Sequence, residues 1–497
     1  MHFILKSHAL FAAAALVVLL AAPSGARAQD GLPGNINLVL ENTRPLKFPR
    51  GNRLPLYVWP AMDAAGTTDA QTEEIVRKLD SRGIGLVMSW NPDEKEKSLD
   101  QALRVAAIQN KLGLPVNVNA TQCMYSFFNG DPSTAHIGSD GKPFFDDSFH
   151  DSRKMGCPFT LDFRKAEIRA RFEYFVNAYK KRKLPIDFIW TDWEVDGPIE
   201  WNGAWESSKK CTRCREHIRH IEDFTEFQNT LRSIRSDLQK TAYTDVVKAA
   251  FPDALIANYA TYPNDGFRYW YDYFEDQAAD GTPYKTDQKA RYRQWANEFP
   301  QTGYTCAMPV VYTWYQTFNW YGFENSDYRW FYNMLLNATN ACKSAPKGLP
   351  VISFVHWNTT APPQNPDPSV KQLSEEKYQE LLWHMLLRGT SGLYLWCEQN
   401  ESAKEVRLLH EVYAESLEYK DFLEKGKPVT FDVPTWQGPV VSAIKLGNKV
   451  LVRRTDFDDT ASPVSLKIGN ETISIPRLEG KCRVITLEEK ERYIPYP

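Results

Sequence analysis

The chain has 497 residues, eight cysteines and a formal net charge of −3. A balance so near neutral, with no basic stripe and no acidic tail, excludes nucleic acid and membrane surfaces as expected partners, and eight cysteines in so long a chain do not make a disulfide framework. Aromatic residues are 13% of the chain, with 15 Trp and 24 Tyr; part of that is ordinary core, but an aromatic-lined cleft is also what sugar rings require.

At the N-terminus, Lys6 precedes an apolar run from Ala9 to Ala22, and Ala26-Arg27-Ala28 supplies a small-residue cleavage site. That pattern predicts a secretory signal peptide over residues 1–28. The run is shorter than the roughly 20 apolar residues of a membrane anchor, and no cysteine follows the cut to carry a lipid. The expectation is a secreted or periplasmic protein without a membrane anchor. Residues 29–53 then form a short N-terminal segment.

From there, β-branched apolar runs alternate eight times with amphipathic stretches. The expected strands are Leu54–Ala61, Ile84–Trp90, Pro115–Ala120, Ile186–Glu194, Ala254–Ala260, Tyr304–Tyr312, Val351–Trp357 and Ser391–Cys397. Thr68 with Gln71 opens the first helix, which stops at Gly83; later helices are expected near Leu99–Leu112, Lys165–Arg182, Arg213–Phe251, Asp327–Ala341, Glu375–Arg388 and Lys404–Leu423. Strands alternating with helices imply a parallel sheet with right-handed crossovers. Eight such units over residues 54–425 fit a closed (β/α)8 barrel, and no glycine-rich phosphate loop follows the first strand to suggest a nucleotide fold. From Pro428 onward the pattern changes to short strands, with Gly447-Asn448 and Gly469-Asn470 between β-rich runs. Residues 428–497 are expected to form a small antiparallel β domain packed on the barrel.

Barrels of this kind place chemistry at the C-terminal ends of their strands. The fourth strand ends Trp190-Thr191-Asp192-Trp193-Glu194. Alternation puts Trp190, Asp192 and Glu194 on one face, with the two carboxylates about 7 Å apart at Cα. At that spacing both cannot ionise freely, so one acid should weaken; the expectation is Glu194. A protonated carboxyl beside an ionised one is what glycosidic cleavage needs. The catalytic expectation is therefore Glu194 and Asp192, with a carbohydrate substrate and no cofactor. Trp59, Trp90, Asn119, Asn258, Trp357, Trp396 and Glu398 fall at other strand ends and are expected, with Trp190, to bind substrate.

Asp187-x-x-Trp190-x-Asp192-x-Glu194 resembles the D-x-x-D-x-D-x-E strand of family 18 chitinases and endo-N-acetylglucosaminidases, with Trp190 in place of the middle Asp. Asp192-Trp193-Glu194 is also similar to the Asp-x-Glu of animal-type hyaluronidases. Met308 and Tyr312 resemble a Met/Tyr strand end of the chitinases, although Thr313 stands where those follow Tyr with Asp, and Trp396 resembles the Trp that floors their sugar subsite. The resemblance implies that Glu194 acts as general acid and then base. It also implies that Asp192 orients a substrate acetamido group whose carbonyl attacks the anomeric carbon, while Tyr312 steadies it. A second resemblance is to the nucleophile segment of retaining α-glycosidases through Trp190-Thr191-Asp192; it implies Asp192 as nucleophile and a loop acid among Asp265, Glu324 and Glu398. A non-catalytic, lectin-like barrel is the alternative outside enzymes, and the presence of Glu194 argues against it.

Cys211-x-x-Cys214, followed by His217 and His220, invites a metal reading. On one continuous helix those four residues spread over half the circumference, so the expectation is a local clip without zinc. The aromatic run Tyr304–Tyr332 and Tyr269-Trp270-Tyr271 fit sugar platforms or packing equally.

Overall fold

A computed structural model describes residues 33–59, 64, 66–148, 154–194, 203–266, 269, 298–459 and 461–487. The expected signal peptide lies outside these residues, as do Trp270 and Tyr271. Each expected barrel strand is present, most in shorter form, with the sixth displaced toward its end and the seventh longer: β1 (Tyr57–Val58), β2 (Val87–Ser89), β3 (Asn117–Asn119), β4 (Phe188–Thr191), β5 (Leu255–Asn258), β6 (Val310–Trp314), β7 (Ile352–Thr360) and β8 (Gly392–Leu395). Parallel ladders run β2-β3-β4-β5 and β6-β7-β8-β1. Backbone bonds join the two stretches on both sides. The Leu56 N–H donates to Gly83 and the Gly85 N–H to Leu56, each at 2.9 Å, which ties β1 to β2. Across the ring, the Thr305 and Cys306 N–H groups reach the Ile256 carbonyl at 3.0 and 3.2 Å, carrying β5 to the segment that enters β6. The sheet is therefore closed, and the chain folds as a (β/α)8 barrel.

The outer helices are α1 (Asp69–Asp80), α2 (Lys95–Lys111), α3 (Asp162–Lys181), α4 (Phe224–Gln239), α5 (Ser326–Ser344), α6 (Glu375–Leu387) and α7 (Ser402–Ser416). Local chemistry sets their ends. Thr68 caps α1 reciprocally with Gln71, the two bonds measuring 2.9 and 3.2 Å, which satisfies two otherwise orphaned donors. Gly83 leaves the helix at φ +71, a conformation L side chains rarely adopt. The single helix expected over 213–251 is instead broken. Thr212–His217 ends as Ile218 turns extended, and α4 starts afresh at Asp223, whose carboxylate accepts the Thr225 and Glu226 N–H groups. An aspartate cap outcompetes helix continuity there. No helix among the described residues is long and apolar enough to cross a membrane.

Two apolar shells follow from strand alternation. Outward residues such as Val118, Ile189 and Val355 pack under the helices. The inward shell is aromatic rather than the usual branched aliphatic filling: Tyr57, Phe188, Trp190, Phe354 and Tyr394 plug the barrel. Trp190 meets Phe354 and Tyr394 edge-on at 5.1 and 4.9 Å, geometry that suits ring quadrupoles.

Beyond the barrel lies a small antiparallel β domain. Strands β9 (Lys427–Pro428), β10 (Val440–Leu446), β11 (Lys449–Thr455) and β14 (Arg483–Thr486) make one sheet in the order β9-β10-β11-β14, and β12 (Val464–Ile468) pairs with β13 (Glu471–Ile475) as a hairpin. Gly447 and Gly469 take φ +60 and +63, while Asn448 and Asn470 stay at negative φ; left-handed geometry at the first turn residue alone is the type II′ pattern. The joint with the barrel is buried, with Val440, Ile444, Leu451 and Phe457 joining the core under the helices beside a polar set. Arg453 grips Glu380 of α6 through two bonds of 2.9 and 2.6 Å. His384 bonds Ser442 and Thr455 at 2.7 and 2.9 Å. Arg388 donates to Ser442 (2.8 Å), Thr339 (3.1 Å), the Asp432 carbonyl (2.7 Å) and the Val441 carbonyl (3.3 Å). Burial first, then the guanidiniums of Arg388 and Arg453, push the His384 imidazole well below its ordinary range and keep it neutral.

Candidate active site

The end of β4 is fixed residue by residue. Past Thr191, the Asp192 N–H donates to Thr121 Oγ1 at 2.8 Å and the Asp192 carbonyl accepts from the Tyr125 hydroxyl at 3.3 Å. Trp193 turns outward, its N–H donating to Asn258 Oδ1 at 3.0 Å and its carbonyl accepting from Arg235 at 2.6 Å. With Trp190 inside the plug and Trp193 pinned outside, Asp192 is left at the mouth of the barrel. Its Oδ1 is shielded and has no hydrogen-bond partner among the described residues. Burial foremost, then the charge of Glu194, lifts the Asp192 pKa well above the ordinary carboxylate range. Glu194 itself is exposed. Asp192 is therefore a weakened acid: both carboxyls sit on one face, and the deeper position takes the desolvation.

Tyrosines surround the pair. Tyr125, Tyr259 and Tyr312 are all raised, first by burial and then by neighbours that include both Asp192 and Glu194. They remain protonated and able to donate. Trp396 stacks on Tyr312 at 5.6 Å and 23°, and Trp59 meets Trp190 edge-on at 6.1 Å. Trp59 and Trp396 are both half-buried, so each offers an open ring surface at the mouth. The Asn119 side chain is spent on its own turn, accepting the Thr121 N–H at 3.0 Å. Glu398 stands exposed past Trp396, its N–H donating to Glu401 at 3.2 Å.

Three expected substrate contacts face the other way. Trp90 lies flat on Phe175 of α3, at 4.8 Å and 8°. Asn258 is fully buried outside the sheet, bonding Thr191, Trp193, Tyr259 and Thr261. Trp357 donates its indole N–H to the Leu373 carbonyl at 2.7 Å and lies under Lys404. The reason is parity. The inward residues of β2, β5 and β7 include Val87, Ala257 and Phe354, so Trp90, Asn258 and Trp357, at odd steps from these, point to the helices.

Inward parity on β7 instead presents His356, a residue the sequence reading missed. It meets Trp396 edge-on at 4.9 Å and lies 5.6 Å from the Tyr312 ring. Glu405 of α7 reaches its Nδ1 at 3.0 Å and also accepts the Trp357 and Asn358 N–H groups, at 3.0 and 2.9 Å. The signal available in the sequence was the His356-Trp357-Asn358 strand end; its carboxylate partner lies in another helix.

The Cys211–Cys214 pair does not close on itself, and all eight cysteines are free. Nor do the following histidines join it: His217 stacks on Phe159 at 4.4 Å, and His220 is exposed. Instead His136 and Cys157 meet the pair, and the four ligand atoms lie within 4.8 Å of one another.

No protein-family model matches the chain, and no curated sequence relative is found. Among solved structures it is similar to α-L-fucosidase isoenzyme 2 from Paenibacillus thiaminolyticus, with 11% identity over 76% of this chain and 51% of that one, at a TM-score of 0.45. It is similar to an α-galactosidase from Lactobacillus brevis, with 10% identity over 92% and 57% of the two chains and a TM-score of 0.44. A maltogenic α-amylase from Thermotoga neapolitana gives 10% identity over 88% and 97%, with a TM-score of 0.39. The chain spans about half the length of the fucosidase. None of the three is a chitinase or a hyaluronidase, and likeness at this level bears on neither substrate nor chemistry.

Proposed function

We propose that this chain is an exported glycoside hydrolase whose Asp192 and Glu194 share one catalytic proton. The observation that carries the reading is the split between the two carboxyls at the end of β4, one shielded and weakened as an acid, the other exposed at the mouth. Glycosidic cleavage takes one protonated carboxyl for the leaving oxygen and one negative charge near the oxocarbenium-like centre. A pair holding a single proton supplies both. In the free enzyme the proton rests on Asp192. A sugar lying across the mouth shields Glu194 from water and raises its proton affinity. The proton then passes to Glu194, which donates it to the leaving oxygen, while Asp192 remains as carboxylate.

The finer reading is substrate assistance on a glycan containing N-acetylhexosamine. Asp192 holds the acetamido group, its carbonyl oxygen forms the bond to the anomeric carbon as the glycosidic bond breaks, and Tyr312 donates to it. Glu194 then takes a proton from the incoming water. One feature supports this over a nucleophile supplied by the seventh strand. The inward end of β7 offers His356 rather than a carboxylate, with Glu405 engaged by backbone N–H groups. Trp59, Trp396 and Tyr312 supply ring faces for the sugar.

Glu194→Gln tests the proposal on a panel of purified glycans. Turnover should fall by roughly 10²–10⁴-fold with KM largely kept. Unchanged hydrolysis by this variant would remove Glu194 from the chemistry. Formation of a glycosyl azide by Asp192→Asn in added azide would install the nucleophile mechanism instead.

A further inference from the structure

The cysteine pair that the catalytic reading leaves unused belongs to a larger cluster. His136 stands on a short strand, His136–Ile137, of the insertion between β3 and α3; Cys157 lies in a turn of the same insertion; Cys211 and Cys214 flank the start of helix Thr212–His217 in the segment after β4. All four side chains are buried, His136 at 1% exposure and the three cysteines at 0%. Cys157 Sγ lies 3.5 Å from Cys214 Sγ, which in turn lies 3.8 Å from His136 Nδ1. A disulfide needs about 2.05 Å between sulfurs, so neither contact is a bond. Tetrahedral zinc with Zn–S near 2.3 Å places ligand sulfurs about 3.8 Å apart, close to what is seen.

We propose that His136, Cys157, Cys211 and Cys214 form a structural Cys3His zinc site that pins the segment after β4 to the insertion after β3. Three sulfurs and one imidazole nitrogen make a soft donor set that favours zinc over calcium or magnesium. Four protein ligands leave no open position, which marks a structural rather than a catalytic site. The backbone around the ligands is held independently of any ion. The Cys157 N–H donates to Thr134 at 2.8 Å, and the Cys214 carbonyl accepts from Ile218 at 2.8 Å. Around them Phe144, Phe159, Ile218 and Phe227 close an apolar jacket, and the His136 ring stacks on Phe144 at 5.2 Å. A shared cation would bind the three cysteines as thiolates, which couples its binding to folding. The two segments it would join are the ones that frame the acids. The insertion follows Thr121 and Tyr125, which hold Asp192, and the other segment continues from Glu194.

The site is tested on the full-length protein produced with zinc in the medium and dialysed extensively. Elemental analysis should find about one zinc per chain. Thiol titration should show three further cysteines becoming reactive when a chelator is added. Substitution of cobalt for zinc should give the intense visible bands of tetrahedral thiolate coordination. Cys214→Ser and His136→Ala should each lose the metal on dialysis and melt at lower temperature. The proposal falls if the wild-type protein carries no zinc, or if mass spectrometry shows a disulfide among Cys157, Cys211 and Cys214. Neither readout depends on glycosidase activity.

Discussion

Asp192→Asn exchanges a carboxyl for an amide of the same shape where the barrel mouth withholds partners from a charge. With Oδ1 shielded and unbonded among the described residues, keeping Asp192 ionised costs roughly 1–3 kcal/mol, the penalty of a buried polar group left without a partner. The sign follows from linkage. The folded-state pKa lies above the unfolded value, so the unfolded chain releases this proton first as pH rises. The wild type therefore loses stability between the unfolded value, about 3.9, and the higher folded one. Asparagine does not titrate and loses nothing. Urea unfolding followed by tryptophan fluorescence should find the two proteins closest near pH 4. By pH 8 the variant should be ahead by about 1–3 kcal/mol, even as its turnover drops. A variant that is less stable at pH 8, or a gap equal at both pH values, would refute the buried-acid reasoning.

Two further outcomes separate packing from binding. Trp90→Ala should destabilise the fold by about 3–5 kcal/mol and leave KM of the folded enzyme unchanged, whereas Trp396→Ala should raise KM several-fold with little change in melting. At the joint between barrel and β domain, Glu380→Ala leaves the Arg453 guanidinium buried and unpaired and should cost about 3–5 kcal/mol. Calorimetry of the single variant and of Glu380→Leu with Arg453→Met should show the double replacement recovering most of the loss.

The barrel was legible because buried parallel strands read as β-branched runs with helical periodicity between them. Paired hairpin glycines announced the change of architecture at the tail. The acids of β4 were legible for a related reason: two carboxylates and a tryptophan at alternate positions share a face whichever face it is. For Trp90, Asn258 and Trp357 the same reasoning failed by one step. A strand end can be found from composition, but its inward parity depends on the register of its neighbours. The weakening of Asp192 was not legible because depth, which alternation does not encode, sets desolvation. His356 with Glu405, and His136 with Cys157 and the cysteine pair, escaped notice because loops and helices distant in sequence bring them together. A search confined to the residues beside Cys211 could find only His217 and His220, which point elsewhere.

The joint at α6 also bears on how far this chain can be taken apart. The apolar part of the seam, with Val440, Ile444, Leu451 and Phe457, could be recut, since whatever covers it next need only be apolar. Arg388 instead spends its donors on two hydroxyls and two carbonyls, three of the four from the β domain. The neutral His384 beside it needs hydroxyls at set places. A barrel ending after α7 would strand a guanidinium that keeps its charge in water or in protein. The β domain thus behaves as the barrel's last layer rather than as a detachable accessory. Transplanting it to another barrel would require Glu380, His384 and Arg388 to travel with it.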